Sequence, residues 1–418
     1  GLPTERRVQN FYGVRFDPTI PFDLNFTPPE KPSKQQVPIS RANFIDLCHL
    51  LTKEDEKAFE DLWRRLGLSV DWSLTYATID EEAQRISQRF FLNNLSRGEA
   101  YQQEAPTLWD WVFQTAVSQA EIEDREESGA YHALRFRSEN GEARIETTRP
   151  ELLPACVAVV AHPDDDRYSG LYGKTLTTPL FGVRVPVVAH ELADPEKGSG
   201  AAMICTFGDT TDVTWWRELR LETRAIMDRD GKLIPLQWGT PGWESENEKQ
   251  AQRYYDVITG LRVKQAQKRI VELLRDADEL LNEPEPISHA VKFYEKGDRP
   301  LEIVTSRQWY IKNGGIDTNI RAQLIERGQQ LSWHPANMRS RYEDWVNGLN
   351  SDWLISRQRF FGVPIPLWYP LDSVGSPDYE NPIVPNDEEL PLDPYKDVPN
   401  GYSEAQRGKR DGFIGDLD

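Results

Sequence analysis

The sequence predicts a multidomain protein of mixed α+β and α/β character, in which a compact β-barrel-like domain sits between mostly helical pieces. Three observations predict it. A length of 418 residues exceeds one ordinary domain and suits two to four modules. Helical apolar spacing dominates the first hundred residues and returns after Leu261. Between them, from about Tyr131, short alternating runs separated by turn residues mark closely spaced strands.

Taken in order, Phe59, Leu62, Trp63 and Leu66 recur at helical spacing, with Thr52 as the expected cap and Gly67 as the stop. A second helix is expected from Asp80 to Ser96, ending near Gly98. Leu134 and Phe136 then alternate with Arg135 and Arg137, Asn140-Gly141 forms a turn, and ARIETT returns as a strand. TLTTPLFG, VRVPVVAH and GAAMICTF supply further short strands. An amphipathic helix from Leu261 should bury Val263, Ala266, Ile270 and Leu274. After Pro284 and Pro286 a strand region runs through LEIVTSRQWYIK, then helices reach Leu349. From Tyr369 the chain is rich in Pro, Asp, Glu and Gly and reads as a loop-heavy lobe.

The 68 acidic and 49 basic residues give a net charge of −19, which argues against a basic nucleic-acid coat but leaves room for one local cationic face. Three separated cysteines, Cys48, Cys156 and Cys205, match neither a disulfide framework nor a zinc spacing, so a reducing, cytoplasmic setting without metal is expected. The apolar runs are too short for a membrane span. No signal-peptide pattern opens the sequence, and Gly1 in place of Met suits a piece of a longer chain.

Two stretches concentrate chemistry. Glu146-Thr147-Thr148-Arg149-Pro150-Glu151 reads as a helix start, with Pro150 as the first helical residue, Thr148 as a cap and Glu151 at the positive end of the dipole. Whether it is also one wall of a site is left open by these residues alone, which favour the helix start. Gly208-Asp209-Thr210-Thr211-Asp212 places two carboxylates three apart at a second helix start, where Asp209 would cap and Asp212 would take the third helical position. Cys205 and Cys156, with His162 and His190 in the same segment, could be thiol nucleophiles, but read better as buried structural residues.

In this order LSVDWS, ETTRPE, GSGAAMICTFGDTTD and DWLISRQRFFGVPIP resemble class I aminoacyl-tRNA synthetases of the valine, isoleucine and leucine group. With GLPTERRVQN and CTFGDTTDVTWW the likeness is to its valine branch, of archaeal-like type, over essentially the whole chain. The resemblance implies a Rossmann-type catalytic domain interrupted by a hydrolytic editing domain. It divides the chain into a helical connective segment (1–129), the editing domain (130–285), a return segment toward the synthetic site (286–370) and an acidic connective lobe (371–418). The family's HIGH and KMSKS motifs are absent from the sequence. ATP and magnesium would therefore belong to the parent enzyme, with no cofactor in this chain.

Threonine is nearly isosteric with valine, and an apolar pocket rejects the added hydroxyl by only about a hundredfold, the value established for this very discrimination by the valine enzymes. Editing therefore implies tRNA(Val) as partner and threonyl-tRNA as substrate, with a monomer as the working state. Carried over by position, Asp212 would hold the substrate ammonium, ionised as an ordinary carboxylate at neutral pH. Asp209 would be a second pocket acid, and Thr147, Thr148 and Arg149 the threonine-rich wall, with Arg149 near the ribose or ester. Leu152 stands where many valine enzymes have threonine, and Met203 and Cys205 where they have lysine and threonine. Trp309 and Phe361 resemble the pair lining the valine pocket of the synthetic site. Arg217, Arg220, Arg224, Lys264, Lys268 and Arg269 are candidates for tRNA phosphates. A non-catalytic tRNA-docking scaffold, an isoleucine-type editing domain and a Cys205 thiol hydrolase stand as alternatives.

Overall fold

A computed structural model describes residues 1–17, 20–29, 36–139 and 141–416. The chain divides into two compact units, Gly1–Tyr101 with Trp309–Asp418, and Gln102–Gln308. Asn140 of the expected turn lies outside the described residues.

In the first unit, α1 (Leu2–Tyr12) is stopped by Gly13 in the left-handed conformation. β1 (Val14–Phe16) pairs in parallel with β2 (Val37–Ile39). α2 (Arg41–Arg65) starts at Ser40, whose side chain accepts from Asn43 N, rather than at Thr52. The apolar stripe read from the sequence belongs to this helix, yet Phe59, Leu62, Trp63 and Leu66 are exposed. The buried face is one turn-set earlier, at Phe44, Leu47, Cys48 and Leu51, which join Val8, Val14 and Phe361 in one cluster. Periodicity located the helix but could not say which stripe would find a partner. α3 (Glu81–Ser96) has the expected Asp80 cap, accepting from Ala83 N, and Gly98 follows it at positive φ.

The second unit is built on a seven-stranded mixed sheet. Strand β3 (Ala100–Asp110) leads in and pairs with β4 (Thr115–Ala116). The long β5 (Ile122–Ser138) pairs along its second half with β6 (Gly141–Thr147), so that Leu134 faces Ile145 and Phe136 faces Ala143. β7 (Cys156–Ala161), β8 (Thr175–Thr177), β9 (Arg184–Ala189) and β10 (Ala201–Cys205) complete the expected set. The order is β10-β7-β9-β8-β5, and the sheet curls until β6 returns beside β10, where Glu146 N donates to Ser199 Oγ at 3.2 Å. α4 (Thr210–Leu219) follows β10, and α5 (Glu248–Asp256) and α6 (Val263–Asp276) come later. α6 buries Ala266, Ile270 and Leu274 in the same core as Leu134, Phe136 and Ile145, while Val263 is only half-buried. Each large apolar side chain wholly removed from water there is worth about 1.5–3 kcal/mol. The strand region after Pro284 resolves into β11 (Glu285–Tyr294), antiparallel to the first half of β5, and β12 (Glu302–Ile311), which leads back to the first unit.

The return piece carries α7 (Thr318–Gln329), α8 (Met338–Asn347), β13 (Trp353–Leu354), β14 (Trp368–Pro370) and β15 (Phe413–Gly415). Little else of 371–416 is regular, as its composition implied. Among the described residues no helix is long and apolar enough to cross a membrane.

Candidate functional site

ETTRPE ends β6 and begins a 3-10 helix, Pro150–Ala155, with Pro150 at its first position. Thr148 does not cap it. Thr147 Oγ1 instead accepts from Arg149 N at 3.0 Å, and Arg149 itself takes the cap position. The Arg149 guanidinium then makes three bonds at once: to Glu151 Oε1 (2.9 Å), to Gly208 O (2.9 Å) and to Glu302 Oε2 (2.7 Å). Burial disfavours its charge, but Glu302 and Glu151 outweigh that and hold its pKa above the usual arginine range. This side chain is a clamp joining the 3-10 helix, the Gly208 turn and β12.

The GDTTD stretch folds as its spacing implied. Asp209 is the N-cap of α4, its Oδ1 accepting from Thr211 N (2.7 Å) and Asp212 N (2.9 Å), and its side chain faces solvent. Asp212 is buried, with Oδ2 accepting from Gly208 N at 2.9 Å. A β-carbon on Gly208 would stand 2.5 Å from that oxygen and 3.5 Å from Leu152 Cδ1, so glycine is required for the approach. Burial, then the Asp209 charge, pushes the Asp212 carboxyl well above its ordinary range, against the N–H donors of Gly208 and Cys205 and the charge of Arg149. The ordinary carboxylate expected from the sequence is thus corrected: the fold makes ionisation costly unless a cation arrives. Burial likewise raises the pKa of Glu151, opposed by Arg149.

The structure therefore gathers Arg149, Leu152, Asp209 and Asp212 around Gly208. Thr147 and Thr148 are half-buried beside them in sequence, their carbonyls engaged by His132 Nδ1 (3.3 Å) and Gln267 Nε2 (2.9 Å). Met203 and Cys205 are buried on β10 and, two residues apart, share one face. Cys205 is the register partner of Cys156, and burial followed by Cys156 pushes its thiol well above the usual range. That disfavours the thiolate a nucleophile needs. His190 is engaged by Glu218 and Leu192 N, and His162 by Asp164 N.

Trp309 and Phe361 belong to the first unit, in separate apolar clusters. Phe361 lines a cavity of about 250 Å3 with Arg41, Arg359 and Tyr395; Trp309 is not in its wall and donates its indole N–H to Asp416 Oδ2 at 2.9 Å. Of the proposed phosphate contacts, Arg224 is buried, with its guanidinium 5.4 Å from the Trp243 ring centroid and 3.7 Å from Glu244, so it cannot serve a surface patch. Arg217, Arg220, Lys264, Lys268 and Arg269 are exposed. Sequence reasoning missed Glu302, Gln267 and His132. A carboxylate set inside the apolar run LEIV was the one signal that Glu302 has a buried partner. Among the described residues no group of three or more His, Cys, Asp or Glu side chains is placed to hold a metal ion.

The chain is 63% identical to the valine–tRNA ligase of Thermobifida fusca (strain YX), over all of this chain and 47% of that protein. The corresponding proteins of Salinispora tropica and Leifsonia xyli subsp. xyli are each 60% identical, again over the whole chain and 48% and 49% of their own lengths. The chain thus spans about half the length of the curated relatives it matches. A solved ternary complex of Agrobacterium radiobacter K84 agnB2 LeuRS with tRNA and LeuAMS shares 14% identity over 86% of this chain and 45% of that one, at a TM-score of 0.28, too slight a likeness to bear on the fold. The family model for tRNA synthetases class I (I, L, M and V) matches residues 25–376. A match over that much of the sequence settles its descent: the chain belongs to the class I tRNA synthetase family.

Proposed function

We propose that this chain is the editing portion of a valine–tRNA ligase, and that its second unit hydrolyses threonine from mischarged tRNA(Val). The parent enzyme would attach valine to that tRNA using ATP and magnesium. HIGH and KMSKS do not occur in the sequence and no metal-holding acidic cluster is found among the described residues, so no residue here is assigned to either cofactor.

The observation that carries the reading is the Asp212 carboxylate, buried at the first turn of α4 and held by Gly208 N. Burial and the Asp209 charge raise its pKa, and a substrate α-ammonium beside it would favour the ionised form. A charge-assisted contact of that kind is worth about 1.5–3 kcal/mol. Asp209, exposed and with one oxygen not used in capping, is the group able to meet the threonine hydroxyl. No activated protein nucleophile stands at the site, which favours attack by water.

A docking scaffold without hydrolysis is the second reading. The apolar Leu152 and Met203 favour it, since both are buried where many valine enzymes carry polar side chains. Deacylation of threonyl-tRNA(Val) by the protein separates the two. The Asp212→Ala variant should lose well over tenfold in rate, and Asp212→Asn should fold normally and spare the ester. Normal hydrolysis by a folded Asp212→Asn protein would remove Asp212 from the site.

A further inference from the structure

Two thiols and one cation in the second unit are left without a task by the hydrolytic reading. Cys156 on β7 and Cys205 on β10 are register partners across an antiparallel ladder, and both are buried in the same apolar core. Thr206 N donates to Ala155 O at 3.4 Å just beyond the pair, so the two residues face each other without a ladder bond of their own. Residues so placed bring their α-carbons to about 4.5 Å, the closest approach an antiparallel sheet allows. A disulfide spans about 4.4–6.8 Å between α-carbons, so the strands need not part for one to close. The ladder shifts register between Ile204 and Cys205, and Ile204 and Ala158 fall in another cluster while the two cysteines stay together. The Cys205 thiol already has a side-chain hydrogen bond with Cys156.

The cation is Arg224. It is buried, Glu244 reaches it only at 3.7 Å, and its Nη1 has no hydrogen-bond partner among the described residues. Burial lowers its pKa, and the charges that oppose this are Glu244 and then Cys156. A thiolate on Cys156 would therefore meet a guanidinium that is short of anions. Cys205 stands among contrary influences: burial, Cys156, Asp212 and Glu151 all push its thiol up. Cys156 is thus the thiol suited to react first, and Cys205 the one suited to resolve. The third cysteine, Cys48, lies in the first unit, where burial pushes its thiol up to about 12 and no second thiol accompanies it.

We infer that Cys156 and Cys205 close reversibly into a disulfide when a hydroperoxide reaches them, and that this cross-link shuts down the Asp212 pocket. The Cys156 sulfur, having given up its proton, attacks one oxygen of hydrogen peroxide. The O–O bond breaks, and the leaving hydroxide takes up that proton as water. The Cys205 sulfur then attacks the sulfenic acid on Cys156; the S–S bond forms, the S–O bond breaks, and hydroxide leaves with the Cys205 proton as a second water. The two sulfurs together lose two electrons, and the peroxide gains them. The cross-link matters because of what each cysteine ends. Cys156 is the C-cap of the Pro150–Ala155 helix, which carries Leu152 and starts at Arg149. Cys205 ends β10, and its backbone N–H is a donor to Asp212. Drawing the sulfurs from hydrogen-bond contact to about 2.05 Å pulls that N–H along with Cys205 and leaves the carboxylate less supported. Only the consequence for hydrolysis rests on the reading above; the thiol chemistry does not.

The test treats the intact protein with hydrogen peroxide, traps free thiols by alkylation and maps the cysteines by peptide mass. Cys156 and Cys205 should be recovered in one cross-linked pair of peptides and Cys48 as the alkylated thiol, and dithiothreitol should undo the cross-link. Hydrolysis of threonyl-tRNA should fall roughly tenfold on oxidation, the scale of one charge-assisted hydrogen bond, and return on reduction. Cys156→Ala should hydrolyse at the parent's rate with or without peroxide. Should that variant fold poorly, recovery of the parent on reduction makes the same comparison. A loss that persists in folded Cys156→Ala, or that dithiothreitol does not reverse, is oxidation elsewhere, such as at Met203, and overturns the switch. Separately oxidised cysteines without a cross-link overturn it too, as does a cross-link that leaves hydrolysis unchanged. Should the reduced protein hydrolyse no threonyl-tRNA, the hydrolytic reading falls by itself. The switch is then judged by amide hydrogen exchange at Cys205 and Gly208: faster exchange in the cross-linked protein supports it, and equal or slower exchange overturns it.

Discussion

Asp212 is placed by a helix start and made reactive to charge by its burial. Folding raises its pKa, so the folded chain holds this proton more tightly than the unfolded chain does. Its contribution to stability is therefore fully present below the unfolded carboxylate range, about 3.9, and is lost as pH rises through the raised folded value. Asp212→Asn removes the titration while keeping an acceptor for Gly208 N. Its thermal midpoint should exceed that of the unmodified protein near neutral pH, with the gap closing toward pH ~4. Parallel melting curves for the two proteins across that range would show that Asp212 carries no such penalty. The two aspartates were legible in the sequence because capping is local: an acid, two threonines and an acid can be read without knowing the fold. The environment that sets the Asp212 pKa was not, because Leu152 and Arg149 reach it from another element.

Between elements, the clamp on Arg149 has the largest reach. Glu302 lies 153 positions away on β12, and no local pattern links the two. One planar guanidinium meets Glu151, Glu302 and Gly208 O together, which a lysine ammonium on a flexible stem cannot reproduce. Arg149→Lys should cost about 1–3 kcal/mol of stability, read as a lower urea midpoint at unchanged m-value. It should also slow deacylation, because the Gly208 turn carries the N–H that holds Asp212. A variant as stable as the parent would show the triple contact to be dispensable. The helices show where legibility ends. α3 was bounded correctly because Asp80 and Gly98 are punctuation within the segment. α2 was given the wrong start and the wrong buried face because it carries two apolar stripes, and only tertiary packing chooses between them.

At the scale of the whole molecule, the chain should support no valine-dependent pyrophosphate exchange, since the motifs that cradle ATP are not in its sequence. Exchange above background by the purified 418-residue chain would contradict this. The second unit is one continuous segment with its own core, so residues 102–308 expressed alone should fold cooperatively and keep the deacylation activity of the longer chain. A molten product, or a folded one without activity, would show that residues beyond the unit complete the site. The strand-rich character of this segment was legible from its alternating runs. The division after Tyr101 was not, because β3 and β12 each run through a boundary without a break in pattern.

The split first unit also sets an order of events during synthesis. Glu5 waits for the N–H groups of Phe360 and Phe361, Gln88 for the carbonyls of Pro364 and Leu392, and the Phe44 cluster for the Phe361 ring. The whole second unit must leave the ribosome before any of these partners exists. At about 5–20 residues per second, that leaves the first hundred residues with an unsealed apolar face for on the order of thirteen to fifty seconds. The inserted unit can meanwhile fold from contiguous chain. Nascent protein arrested before Phe360 should therefore hold a protease-resistant second unit beside a susceptible amino-terminal piece, and recruitment of holding chaperones should fall once translation passes Leu392.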